Sequence, residues 1–224
     1  MCYVVVDLEM CIIPKTRRNK KYRWAHEIIQ IGAVLLDKAY DVKDSFNMLV
    51  KPEYGVIDGN IELLTGIRRE MVKDAPDIRS ALKAFADWIP SDAEFVTWSE
   101  NDEMQIKREI EGKDISFEGI EKFSGNWIDC QETFSQIIMD TRKYKLEEAL
   151  NLSDVDYDIH LHDGLVDASN TALLFRKMRT EKDYKFNTYY IDSKKEPEML
   201  TSTLGELFGN IKLAATDDDT NNAS

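Results

Sequence analysis

Three segments with strand chemistry follow one another before any helical pattern appears, and that order limits the folds open to this chain. CYVVVDLE (residues 2–9) is an apolar run that ends in two acids. EIIQIGAVLLD (27–37) is almost continuously apolar, as a strand buried on both faces must be. FNMLVKP (46–52) is the third segment, stopped by Pro52. A parallel pair needs a long crossover, normally a helix, and none of these connections carries helical periodicity. The three strands are therefore expected to pair as an antiparallel meander.

Helices begin only afterwards. Asp74 and Pro76 form a start signal, and Ile78, Leu82, Phe85 and Ile89 follow at helical spacing. EFVTW (94–98) predicts a short strand, followed by a helix over about 101–110. NWIDC (126–130) predicts another strand, then a helix to about Asp140. LEEAL (146–150) reads as a short helix, and Leu165, Ala168, Ala172 and Phe175 mark a long one over about 164–178. Three strands in a row, then alternating strand and helix, predict an α/β fold whose five-stranded mixed sheet is flanked by helices. Residues 1–179 are expected to form this domain, with 180–215 as an extension packing on it, including a helix over MLTSTLGELFG (199–209). TDDDTNNAS (216–224) is expected to be a disordered tail.

Composition narrows the classes of function. Hydrophobic residues make up 43% and charged residues 32%, which suits a water-soluble globular chain. The net charge of −13 opposes diffuse binding to a polyanion but permits a small site that grips one chain end. Cys2, Cys11 and Cys130 form no CxxC pair, so reduced thiols and a cytoplasmic location are expected. No apolar stretch is long enough for a membrane span, so no membrane partner is expected.

The chemistry concentrates in acids. Residues i and i+2 of a strand share a face, so Asp7 and Glu9 project side by side at the end of the first strand. Like charges held close repel and raise each other's pKa, a conflict that a hard divalent cation relieves. Asp102 in TWSENDEMQI and Asp167 in HLHDGLVDASNTALLF both fall at helix starts and extend the set. Asp163 competes with Asp167 for the same role. His162 is one of three histidines and lies five residues before Asp167, which places it on the loop entering the helix. It is a group suited to proton transfer near neutral pH.

VVVDLEM, TWSENDEMQI and HDGLVDASNTA, in that order, resemble the three motifs of the DEDDh 3′–5′ exonucleases, a family with a ribonuclease H-like fold. EIIQIGAVLLD, FNMLVKP and LLTGIRREMVKDAP are similar to the family's framework segments, so the resemblance covers about residues 2–178. It is nearest the branch that contains the histone-mRNA 3′ exonuclease and KapD. The resemblance implies hydrolysis with two divalent cations, Mg²⁺ or Mn²⁺. Asp7, Glu9, Asp102 and Asp167 would hold them, and His162 would act as general base beside the cations. His160 is a competing base whose spacing is off by two. The implied partner is a nucleic acid with a free 3′ end, RNA or DNA, releasing nucleoside 5′-monophosphates. Met10 and Leu64 are implied contacts to the terminal base. Met10 and Asn101 depart from the residues common at those positions, and neither departure removes a ligand.

The segment from Lys15 to Trp24 holds six cations and no acid. Arg17, Arg18, Lys20 and Lys21 are candidates for backbone phosphates, and Tyr22 and Trp24 for base stacking. A second reading, permitted by the KapD resemblance, is an interaction protein that keeps the fold and works through a partner.

Overall fold

The computed structural model describes residues 1–18 and 22–190. Five strands form one sheet: β1 (Cys2–Ile12), β2 (His26–Leu36), β3 (Val42–Leu49), β4 (Ala93–Thr97) and β5 (Trp127–Asp129). Their order is β3-β2-β1-β4-β5. The β1–β2 and β2–β3 pairs are antiparallel, whereas β1–β4 and β4–β5 are parallel. This is the five-stranded mixed sheet expected from the order of the segments, with β1 at its centre. Val4, Val5 and Val6 are fully buried there, and complete burial of each such side chain contributes about 1.5–3 kcal/mol.

Seven α-helices are assigned among the described residues: α1 (Gly59–Thr65), α2 (Arg69–Val72), α3 (Ile78–Trp88), α4 (Glu100–Gly112), α5 (Cys130–Ile138), α6 (Leu146–Leu152) and α7 (Gly164–Thr180). Val4, Val6 and Leu8 of β1 join Leu82 and Phe85 of α3 and Ile106 of α4 in one core cluster. The opposite face of β1 meets α7, where the Tyr3 and Phe175 rings lie 5.2 Å apart. The helix after Asp74 starts later than its sequence signal: Asp77 is the capping residue, and its carboxylate accepts the Ser80 N–H at 2.8 Å. The two short helices α1 and α2 were not expected from the sequence pattern. α1 is set by Asp58, whose side chain accepts the N–H groups of Asn60 and Ile61, and by Gly66 in the left-handed region at φ 71°.

Two glycines let α7 dock. A Cβ on Gly32 of β2 would lie 2.0 Å from the carbonyl carbon of Gly164 and 2.2 Å from the Leu165 nitrogen. A Cβ on Gly164 would lie 3.0 Å from the Asp7 carbonyl oxygen. The helix start therefore rests on the backbone of β1 and β2, and the Gly164 N–H donates to Gln30 Oε1 at 3.0 Å.

One compact unit spans Met1–Asn187. Beyond α7, the Tyr184 hydroxyl bonds Ser153 Oγ at 2.6 Å and the Asn187 N–H donates to the Leu152 carbonyl at 2.7 Å. The helix expected over 199–209 and the tail over 216–224 lie outside the described residues.

Candidate active site

The site forms where the C-terminal end of β1 meets the starts of α4 and α7. Asp7 and Glu9 alternate with Leu8, which points into the core, so both carboxylates leave the same face of the strand. Opposite the Glu9–Met10 step the antiparallel ladder skips Ile29 of β2, a bulge of the kind that re-aims side chains at a sheet end. Asp102 stands in the first turn of α4, where the helix N-terminus favours an acid, and its Oδ1 accepts the Leu8 N–H at 3.2 Å. That bond ties α4 to the catalytic strand.

α7 supplies the fourth acid. Asp163 caps this helix by accepting the Leu165 and Val166 N–H groups at 2.9 and 3.3 Å. Asp163 Oδ1 is thereby engaged at the cap, whereas Asp167 meets Glu9 and His162. The His162 N–H donates to Asp167 Oδ2 at 2.9 Å, while Asp167 Oδ1 is buried with no hydrogen-bond partner among the described residues. His162 itself sits at φ 69°, in the left-handed region, on the loop leading into α7. One ligand atom each from Glu9, His162 and Asp167 lies within 4.8 Å of the others. His160 is elsewhere: its Nδ1 lies 2.6 Å from Asp158 Oδ1, and its side chain is 83% exposed.

Burial and mutual repulsion both weigh on these acids. Burial pushes Asp7 well above the usual carboxylate range, and the charges of Asp102, Asp167, Glu9 and Asp163 push it further. Glu9 is raised to about 8, first by burial and then by Asp167 and Asp102. Asp102 is raised to about 7, chiefly by burial, against the opposing hydrogen bond from Leu8. Burial also raises Asp167, opposed by its bond from His162. Four carboxylates that ionise only at a cost, and a buried oxygen without a partner, are what an oxygen-seeking divalent cation would satisfy. The residues present therefore fit the implied metal.

A groove of about 510 Å³ opens at this edge, lined by Glu9, Met10, His26, Asn101, Asp102 and Arg108 among others. Met10 is thus at the groove. Leu64 is in α1, 49% exposed, and does not line it, whereas Ile61 of the same helix does. Tyr22 is not available for stacking: it is fully buried, and its hydroxyl donates to the His26 carbonyl at 2.7 Å. Trp24 is half-buried, set edge-on to Tyr22 at 5.3 Å, and fills the space over Gly112 of α4. Arg18 is tethered by a 3.1 Å bond to the Ile13 carbonyl. Arg17 lines a different recess, beside α2. Lys20 and Lys21 lie outside the described residues.

Sequence reasoning missed Gln30, Gly32, His26 and Arg108. A polar residue and a glycine inside the apolar run EIIQIGAVLLD were the available signal for the first two. His26 and Arg108 carried none.

The sheet order, with Glu9, His162 and Asp167 gathered at the end of its central strand, is that of a ribonuclease H-like fold with a candidate metal site. The Exonuclease family model (RNase_T) matches residues 4–175, and the chain belongs to that family. Its members use divalent metal ions. Among curated relatives, ERI1 exoribonuclease 2 of Danio rerio is 30% identical over 202 residues, covering 80% of this chain and 35% of the relative. A DNA polymerase III PolC-type of Caldanaerobacter subterraneus is 32% identical over 153 residues, 68% of this chain and 10% of the relative. The chain thus spans about a third or less of these relatives' lengths. Among solved structures, the nuclease domain of 3′hExo, a DEDDh family member bound to rAMP, superposes with a TM-score of 0.67 at 21% identity. That match covers 83% of this chain and 96% of the other.

Proposed function

We propose that this chain is a 3′–5′ exoribonuclease that releases nucleoside 5′-monophosphates from single-stranded or short structured RNA with the help of two divalent cations, Mg²⁺ or Mn²⁺. The observation that carries this reading is the meeting of Glu9, His162 and Asp167 within 4.8 Å, on the edge where Asp7 and Asp102 also lie. Asp7, Glu9, Asp102 and Asp167 would hold the cations, which supply charge stabilisation at the scissile phosphate and lower the pKa of the attacking water. The carboxylates fix where the phosphate stops, because the Asp102–Leu8 hydrogen bond ties α4 to β1 and the Gly164–Gln30 hydrogen bond ties α7 to β2. The His162 imidazole takes the proton of the attacking water, and its exposure lets that proton pass on to solvent. Met10 at the groove wall packs against the terminal base.

The ERI1 exoribonuclease relatives support RNA as the substrate; the PolC-type relative keeps DNA as the competitor in the assay. The cytoplasm is the proposed compartment, in keeping with three free thiols, of which burial raises that of Cys11 to about 12. The test is digestion of 5′-labelled RNA and DNA with Mg²⁺ or Mn²⁺. A ladder that shortens from the 3′ end on RNA, stalls at a blocked 3′ end and vanishes in Asp7→Ala supports the reading. Internal cuts, or no cleavage by the folded protein, would overturn it, the latter in favour of an interaction protein.

A further inference from the structure

We propose that a second recess, beside α2, holds backbone phosphates of the single strand whose 3′ end occupies the catalytic groove. This recess of about 600 Å³ is lined by four cations, Arg17, Lys51, Arg69 and Lys73, with Glu70 as its one acid. In a chain of net charge −13 such a grouping is a local reversal of sign. Among the described residues none of the four cations makes an ion pair. Arg17 Nη1 and Arg69 Nη2 each donate one 3.4 Å bond, to the carbonyls of Tyr54 and Ile57. A guanidinium has five N–H donors, so each is oriented and still has donors to offer.

The recess adjoins the groove. Ile12 lines the groove and Val56 the recess, and the two are bridged, the Val56 N–H donating to the Ile12 carbonyl at 2.9 Å. Ile57 of the recess and Ile61 of the groove stand on either side of the Asp58 cap of α1. A strand leaving the groove over this bridge meets the four cations. The loop that carries Lys51, one of the four, is fixed beforehand. The buried Glu27 carboxylate of β2 accepts the N–H groups of Glu53 at 3.2 Å, Tyr54 at 2.8 Å and Gly55, and it pairs with Lys113, which also pairs with Glu109 at 2.9 Å. The loop is thus held by charge-assisted bonds to β2, and through Lys113 to the end of α4. Cations without an ion pair, gathered from this loop, from α2 and from the turn at Arg17, suit a repeating phosphate array, which offsets their mutual repulsion and releases condensed counterions.

This inference rests on the nuclease reading, and the experiment separates the two. Binding of a labelled single-stranded RNA of about ten nucleotides is followed by fluorescence anisotropy in EDTA, where no hydrolysis occurs. The proteins are wild type, Lys51→Ala with Lys73→Ala, and a control of equal charge change, Lys182→Ala with Lys185→Ala. The recess variant is expected to bind roughly tenfold more weakly, with the salt slope reduced by about 0.7 for each phosphate no longer neutralised. The control should weaken much less. Turnover is measured in parallel on a dinucleotide and on the longer strand, where the KM of the recess variant should rise about tenfold more on the longer one. Equal weakening in both variants, no weakening in either, or a wild type without affinity for the strand overturns the recess. A wild type that binds, is weakened by the recess substitutions and cleaves neither substrate overturns the nuclease reading and leaves the recess standing.

Discussion

Gly32→Ala places one methyl group at a position that does not line the groove, and it tests whether the docking of α7 sets the active site. The added carbon would lie 2.0 Å from the Gly164 carbonyl carbon, whereas ordinary contact begins at 3.4 Å. The obstructing atoms are backbone, so no side chain can swing aside. The start of α7 must retreat from β2 by roughly 1.4 Å, the difference of those two distances. Asp167 is in the first turn of that helix, and the His162 N–H is bonded to its carboxylate, so both groups move away from Glu9 together. Displacement of about 1 Å at a reacting centre costs about 100-fold in rate, and overpacking costs about 1–3 kcal/mol in stability. The assay is kcat on a labelled RNA beside thermal melting of the same preparation. The expected result is a fall in kcat near 100-fold with the variant folded at the assay temperature. A folded variant with a lowered melting temperature and kcat within about twofold of wild type would refute the claim that this contact positions the site.

Further outcomes follow from the same geometry. Glu9 is raised from 4.5 to about 8 and Asp102 from 3.8 to about 7, so between those values the native chain holds protons that the unfolded chain has released. Metal-free stability should therefore fall as pH rises from about 4 to 8 and level off above, and added Mg²⁺ should flatten the slope; a metal-free melting temperature that climbs across this window contradicts the crowding of these acids. His162→Ala should lower kcat by about 10²–10⁴-fold, while His160→Ala stays near wild type, because His160 is turned to Asp158 in solvent. Lys113→Met should leave Glu27 and Glu109 buried without their cation, costing about 3–5 kcal/mol, or roughly 6–20 °C in melting temperature; a shift under a few degrees would show that the network is solvated.

The fold was legible because the strand segments are self-announcing. Each of the five observed strands overlaps a segment picked out by its apolar content, and their sequence order foretold antiparallel pairs first and parallel pairs second. What escaped was short or context-made. α1 and α2 run seven and four residues, too short for periodicity to register, and they are held by the Asp58 cap and by burial of Ile61 and Val72. The start of α3 moved from Asp74 to Asp77 because both residues can cap a helix and only the structure decides which carboxylate reaches an N–H. In the site, Asp7 and Glu9 were readable as a pair from strand alternation, whereas a place at a helix start said little of Asp102 and Asp167, which only the resemblance to the exonuclease motifs singled out. The basic loop was misjudged in part. Charge and aromatic content suggested phosphate contacts and base stacking by Tyr22 and Trp24, but Tyr22 serves as core, Trp24 packs on Gly112, and Arg17 faces the second recess. Which side chain of a loop turns inward depends on a glycine some ninety residues away, and no local pattern encodes that.

Anomalous scattering from crystals soaked in Mn²⁺ and a nucleoside 5′-monophosphate gives the most direct view of the claimed centre. Two peaks roughly 4 Å apart, bounded by the carboxylates of Asp7, Glu9, Asp102 and Asp167 and beside the 5′-phosphate, are the predicted result. Manganese bound elsewhere on the molecule, with those four side chains and the nucleotide leaving the strand end empty in an unobstructed lattice, would contradict it.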